Sequence, residues 1–272
     1  MKSTQKIIIC LFCTNVITFF LLLIVALYYD IPTKLYTRIN FKNTSIAHAG
    51  NNFSRNKRDI VRREYFKIYS TKKANIVMLG DSITHQIDWN ELLGRSDIVN
   101  RGIGGDTSED IVNRLSDIYT LNPKICFVMC GLNDFFKSKT VENVFSNYTK
   151  IIEGIRNNKI IPVIQSTLYI TNKHDKKSNV NSKIYKLNKL LKKYAQTNNV
   201  LFIDLNKSLS RNRALCSKYS FDGKHLLGKG YAQWKEVLVP NISSLLSDLA
   251  DKPHNRPKGP PPNRLSLLTN RH

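Results

Sequence analysis

Acidic side chains are scarce in this chain. Twenty Asp and Glu stand against 42 Lys and Arg, a formal net charge of +22 over 272 residues. Such a surface attracts phosphate backbones, anionic headgroups and acidic polymers, but it does not select a fold. No run has the pattern of a zinc finger, an RNA-binding sheet or a basic-region helix, so nucleic acid is not expected as a partner. Cysteine is sparse as well. Of five, Cys10 and Cys13 lie in an apolar N-terminal run, Cys126 and Cys130 in or beside a run that reads as a buried strand, and Cys216 in a late loop. Their spacing describes neither a metal site nor a disulfide framework. His174 sits among Lys173, Lys176 and Lys177 without further ligands, so no metal is expected there. The glycines from Gly102 to Gly105 are followed by no Lys-Ser or Lys-Thr pair and by no dinucleotide-type glycine pattern. No cofactor is expected.

Charge is wholly absent between Ile7 and Tyr29, a run of 23 residues. As a helix it would be roughly 35 Å long at about 1.5 Å per residue, and a hydrocarbon core needs about 20 residues. Tyr28 and Tyr29 stand where interfacial aromatics belong. A cleavable signal has a shorter apolar region followed by small residues. Here the run ends Leu-Tyr-Tyr-Asp-Ile-Pro, and Ala47-His48-Ala49 lies too far downstream. Residues 1–6 therefore read as a short flank and 7–29 as a retained transmembrane anchor. Lys34, Arg38 and Lys42 nearly balance Lys2 and Lys6, and the expected side for the following domain is extracytoplasmic. Residues 30–73 carry eleven Lys or Arg against three acids. They read as a basic stalk or linker able to contact anionic headgroups. Residues 250–272 are basic and Pro-rich, including Lys-Gly-Pro-Pro-Pro at 258–262. They cannot bury enough apolar surface to offset ordering, and disorder is expected.

Between these flanks, residues 74–249 alternate short apolar runs with helical stripes. Ile76–Leu79, Asp97–Asn100, Ile125–Cys130, Ile160–Ile164 and Val200–Ile203 read as strands. Thr107 caps a stripe of Ile111, Val112, Leu115, Ile118 and Tyr119. Further stripes run from Val144 to Ile155 and from Ile184 to Tyr194. A terminal helix carries Trp234, Val237 and Leu238, with a break or kink expected at Pro240. The alternation predicts an α/β fold, a parallel sheet with helices on both faces. Ligands of such sheets sit beyond the carboxyl ends of the strands, where Gly80, Gly131 and Asp204 fall.

Four separated blocks, each at a predicted strand end or in a late loop, carry the chemistry. They are Gly80-Asp81-Ser82, Gly102-Ile103-Gly104-Gly105-Asp106, Gly131-Leu132-Asn133-Asp134 and Asp222-Gly223-Lys224-His225. In content and order they resemble the SGNH, or GDSL-type, hydrolase family, over roughly residues 74–249. The resemblance implies a three-layer flavodoxin-like SGNH fold and a catalytic triad of Ser82, Asp222 and His225. It also implies an oxyanion hole made by the Ser82 amide, the Gly105 amide and the Asn133 side chain. The residue chemistry agrees. A serine hydroxyl needs a neighbouring base, which His225 supplies, and Asp222 three residues earlier can orient the imidazole. Gly105 leaves room for substrate at the backbone, and Asn133 offers two neutral donors. Taken singly, Ser82 reads as a helix cap and His225 as a surface histidine; their joint placement reverses that. Asp81, Asp106 and Asp134 read as loop braces, His85 as structural, and Trp89 and Tyr231 as packing residues.

The expected reaction is hydrolysis of a carboxylic ester through an acyl-enzyme. The substrate class that joins the triad, the anchor and the positive surface is an O-acetylated cell-envelope glycan. A lysophospholipase or thioesterase acting on lipid esters, and a glycan O-acyltransferase, are the enzymatic alternatives. A nonenzymatic membrane scaffold lies outside that class.

Overall fold

The computed structural model describes residues 60–175 and 179–251. The expected anchor at 7–29, most of the expected stalk and nearly all of the tail lie outside the described residues. Among the described residues, no helix is long and apolar enough to cross a membrane. The chain divides at Val61/Arg62 into two units, of which the second carries the fold.

Helix α1 covers 60–68, inside the stretch read as stalk. Arg63 forms a bidentate pair with Asp117 at 2.8 and 2.9 Å. The Arg101 guanidinium lies 4.4 Å from the centre of the Phe66 ring. The domain therefore begins before the expected boundary at residue 74. A basic composition concealed this, because Arg63 and Phe66 have partners far along the chain.

Five parallel strands follow: β1 (Ile76–Gly80), β2 (Ile98–Gly102), β3 (Ile125–Met129), β4 (Ile161–Gln165) and β5 (Leu201–Ile203). Their order is β2-β1-β3-β4-β5. This is the flavodoxin-like order, whose switch point lies between β1 and β3. Between the strands run α2 (Ser82–His85), α3 (Trp89–Leu93), α4 (Ser108–Val112), α5 (Ser116–Tyr119), α6 (Leu132–Phe136), α7 (Val141–Asn157), α8 (Asn172–Asp175) and α9 (Val180–Thr197). Then come α10 (Asn206–Leu209), a short antiparallel pair β6 (Ser210–Arg211) and β7 (Ala214–Leu215), and the long α11 (Gly228–Asp251). Helix α7 packs on α4 and α9, while α3 and α10 pack on α11. The three-layer α/β architecture is the expected one. The β6–β7 pair had no period-2 signal.

The central strands β1 and β3 are buried at every position, which is why they read as continuous apolar runs rather than alternations. Val144, Tyr148, Ile151, Ile152 and Ile155 of α7 are all fully buried. Each such aliphatic side chain contributes about 1.5–3 kcal/mol of burial. Pro162 sits in β4 because its missing donor is not needed. The Ile161 amide donates to Lys124 on the β3 side. Alternation turns residue 162 toward β5, where pairing starts only at Val163.

Two local readings differ from the structure. The stripe after Thr107 is two helices, α4 and α5, rather than one. Arg114, between them, turns inward instead of continuing the polar face. Helix α11 also continues through Pro240 without the expected break. Trp234 and Leu238 before the proline and Ile242 after it are all buried. Packing on both sides outweighs the lost backbone bond.

Pro240 itself is exposed. Replacing it by Ala restores a helix donor and improves propensity by about 3 kcal/mol, offset by about 0.4–1 kcal/mol of freedom returned to the unfolded chain. Pro240→Ala should therefore raise the urea midpoint, by on the order of 1–3 kcal/mol in stability. A lowered midpoint would show that the proline suits this helix.

Candidate active site

Ser82 is the first residue of α2, directly beyond the end of β1. Asp81 caps that short helix by accepting the Ile83 amide at 3.0 Å. The helix is held from its other side by aromatic donors. Tyr231 donates its hydroxyl to the Ile83 carbonyl at 2.7 Å, and the Trp89 indole donates to the Thr84 carbonyl at 2.9 Å. Trp89 stands edge-on to Trp234 with ring centres 4.9 Å apart. Trp89 and Tyr231 are thus packing residues, as expected, and what they pack in place is the serine turn.

His225 reaches Ser82 from 143 residues away. Its Nε2 lies 2.9 Å from the Ser82 Oγ, and its Nδ1 lies 2.6 Å from an Asp222 carboxylate oxygen. The other Asp222 oxygen accepts the amides of Lys224 and His225 at 3.0 and 2.8 Å. Burial alone would raise the Asp222 carboxyl, but the His225 ring and these two amides outweigh it and hold it down at about 2. Asp222 is therefore ionised and fixed. Gly223 makes the turn possible with φ +90°. A Cβ there would also strike the His174 ring. His174 accordingly packs on the triad loop instead of lying in an open polar loop, with its Nδ1 3.1 Å from the Thr171 hydroxyl.

The loop is anchored by the segment after β4. Residues 166–171 are buried but leave the sheet, so their backbone groups need other partners. Asparagine side chains supply them. Asn188 bonds both the amide and the carbonyl of Thr167 at 2.9 Å, and Asn181 does the same for Ile170 at 2.8 Å. Asn206 accepts the Tyr169 amide at 3.2 Å. So held, the Thr171 amide donates to the Gly223 carbonyl at 2.8 Å.

The β2–α4 and β3–α6 loops converge on Ser82. The Asn133 side-chain amide donates to the Asp106 carbonyl at 2.9 Å, one residue past Gly105. A Cβ placed on Gly104 would lie 3.9 Å from the Ser82 Cβ. Gly105 has φ +91°, a conformation that favours glycine. Among the described residues no acceptor bonds the amides of Ser82 or Gly105. Asp134 ties the two loops together by accepting the Ser108 amide at 2.8 Å and its hydroxyl at 2.7 Å. Tyr148 serves both backbone groups of Cys130, so the turn into Asn133 is pinned from α7.

Arg114 completes the framework and was not singled out from sequence. Its Nε donates to Asp106 at 2.6 Å and its second terminal nitrogen to the Gly80 carbonyl at 3.1 Å. Both partners of the ion pair are almost wholly buried. The available signal was an arginine three residues after Ile111, on a stripe otherwise apolar. His85 is half-buried behind this region; burial and then the Arg62 charge hold it below its ordinary value, in keeping with a structural role. Burial also pushes up the Cys126 and Cys130 thiols, which are free and protonated. Among the described residues no group of three His, Cys, Asp or Glu is placed to hold a metal ion.

Of the buried carboxylates Asp81, Asp106 and Asp134, Asp106 is paired with Arg114 and Asp134 accepts from the Ser108 amide and hydroxyl. Asp81 is pushed up to about 7, first by burial and then by the charges of Asp106 and Asp134, against the pull of the Ile83 amide. A folded-state pKa above the unfolded value of 3.8 means that folding retains this proton. The contribution is complete below about pH 4 and declines as pH rises to about 7. Asp81→Asn keeps an acceptor for Ile83 and removes the decline, an effect on the order of a few kcal/mol above neutrality. Urea midpoints at pH 5 and pH 8 should converge in the variant relative to the parent; equal pH slopes would refute the raised pKa.

Residues 78–233 match the GDSL-like Lipase/Acylhydrolase family. Among curated proteins, the chain is similar to an N-acylneuraminate cytidylyltransferase of Streptococcus agalactiae serotype III, 28% identical over 164 residues. That match covers 59% of this chain and 37% of the streptococcal protein, so the chain spans little more than a third of that relative's length. It is also similar to the platelet-activating factor acetylhydrolase IB subunit alpha2 of Rattus norvegicus, 26% identical over 221 residues, covering 76% of this chain and 93% of the rat protein. A GDSL-like lipase from Bacteroides thetaiotaomicron shares the fold with a TM-score of 0.60 at 24% identity, over 69% of this chain and 97% of that one. The family match takes in the serine turn, the β2–α4 and β3–α6 loops and the Asp222–His225 loop, and with these joined in one hydrogen-bonded site the chain belongs to the GDSL-like lipase/acylhydrolase family.

Proposed function

We propose that the protein is a serine esterase that removes O-acetyl groups from a cell-envelope glycan. The observation that carries the esterase reading is the continuous relay from Ser82 through His225 to Asp222, at 2.9 and 2.6 Å. His225 takes the Ser82 proton as the oxygen attacks the ester carbonyl. The carbonyl oxygen becomes an oxyanion, which the Ser82 amide, the Gly105 amide and Asn133 receive. Collapse breaks the bond to the leaving alcohol, which takes the proton from His225. Water, deprotonated by His225, then attacks the acyl-enzyme and releases the acid and Ser82. Asp222 keeps the imidazole in the tautomer that accepts from Ser82.

The acetyl and glycan parts rest on weaker supports. The rat relative is named for acetyl hydrolysis and the streptococcal one for a sugar acid. The charge of +22 favours an anionic substrate or surface, and the charge-free run from Ile7 to Tyr29 favours a single-pass anchor with the domain on the extracytoplasmic side. In that arrangement residues 30–73 lie near anionic headgroups. A second reading, release of acetyl from a lipid, is favoured by the extent of the acetylhydrolase match.

Esters of increasing acyl length should give a sharp maximum of kcat/KM at acetyl with the purified full chain. A maximum at long acyl chains would defeat the acetyl reading while leaving the esterase one.

Ser82→Ala should abolish labelling by an active-site phosphonate without unfolding the protein. Asn133→Ala should stay labelled but acylate on the order of 100- to 1000-fold more slowly, about 2.7–4 kcal/mol for one oxyanion donor. Single-turnover acylation measured beside the melting temperature separates this from a turn-shaping role. Near-parental acylation by folded Asn133→Ala would remove it from the oxyanion hole.

A further inference from the structure

Two phenylalanines beside the triad are exposed. Phe221 is 63% exposed and Phe136 46%. Single exposed apolar residues are ordinary on protein surfaces. These two are not scattered. Phe136 follows Asn133 by three residues on α6, so it stands about one turn beyond the oxyanion donor. The Phe221 ring lies nearly parallel to the His225 ring, at 18° and 6.0 Å between centres. Lys224 links the two sides. It immediately precedes His225, its amide is held by Asp222, and its ammonium lies 5.4 Å from the centre of the Phe136 ring. Among the described residues no carboxylate pairs with Lys224. The triad is therefore bordered by two exposed ring faces and an ammonium lacking a carboxylate partner.

We propose that Phe136, Phe221 and Lys224 form the subsite for the leaving alcohol, and that this subsite takes an acetylated sugar carrying an anionic group. Aromatic faces suit the C–H faces of a sugar ring, which cover apolar surface that is otherwise wet. The ammonium is a compact point charge that suits a carboxylate or phosphate on the same sugar. Its backbone is locked by the carboxylate that orients the catalytic base, so the stem that carries the charge starts at a fixed place beside the base. Sugar selection is thereby tied to the geometry of the reaction. This inference rests on the proposed glycan reading and deepens it.

Binding tests the subsite without requiring turnover. In the full chain carrying Ser82→Ala, affinities for an O-acetylated uronic acid glycoside, an O-acetylated hexose phosphate and the matching neutral O-acetylated hexose are measured by calorimetry. The anionic sugars should bind about tenfold tighter than the neutral one, the worth of one modest charge contact. Which of the two is tighter assigns carboxylate or phosphate. Added salt should shrink the advantage. Lys224→Gln on the same background should erase it, and Phe136→Ala should weaken all three ligands together. Circular dichroism reports whether each variant is folded, and Lys224→Met is the second variant if Lys224→Gln is not. Equal affinity for charged and neutral sugars, or a preference that survives loss of Lys224, would overturn the proposal. So would Lys224-dependent binding to anionic lysolipid vesicles with no sugar binding. Anionic-sugar binding without acetyl hydrolysis by the wild-type chain would instead count against the esterase reading and leave the subsite standing.

Discussion

The site depends on one buried contact, the Arg114 guanidinium bridging the Gly80 carbonyl and the Asp106 carboxylate. Gly80 ends the strand that delivers Ser82. Asp106 follows Gly105 and offers its carbonyl to Asn133. One side chain thus sets the distance between the nucleophile and the donors proposed to receive the oxyanion. Burying an ion pair is no efficient route to stability, because desolvation offsets most of the attraction. What it provides is geometry, since a planar guanidinium accepts partners only in fixed directions. The aromatic donors behind α2 play the same part for the serine turn, from the opposite helix layer.

The position of the site follows from topology. Strand order reverses between β1 and β3, and the loops leaving those strands part to opposite layers. Ser82 and Asn133 come from the two sides of that reversal. The Asp222–His225 loop comes from much later in the chain and needs its own support. It obtains that support from a stretch that has left the sheet and is held by asparagine side chains acting as substitute strand partners. Close packing around ordinary fluctuation-prone loops is what lets an apposition of 2.9 Å between residues 143 positions apart persist.

The strands, the long helices and the four blocks were legible because each is a local pattern. Apolar runs of four and six residues ending at Gly80 and Gly131 mark strands covered on both faces, and the stripe from Val144 to Ile155 has a helical period. Readings failed where a local rule met a distant partner. Pro240 lies in a continuous helix because buried residues on either side hold it. The stripe after Thr107 divides where Arg114 turns inward. Residues 60–68 looked like a solvated basic linker, yet Arg63 is paired with Asp117 and Phe66 lies beneath Arg101.

By itself, the sequence determined the class of fold and the chemical inventory. Periodicity and turn residues are properties of neighbours along the chain, and a serine after a strand end with an aspartate and a histidine in a late loop need no coordinates to be counted. Only the tertiary structure decided that His225 meets Ser82, that Arg114 holds the β2–α4 loop to the end of β1, that His174 packs on the Gly223 turn, and that the Lys224 ammonium lies over the Phe136 ring. Each of these joins residues from separate elements. Their meeting is set by sheet order and by the packing of helices on it, for which no local pattern in the chain is a sign.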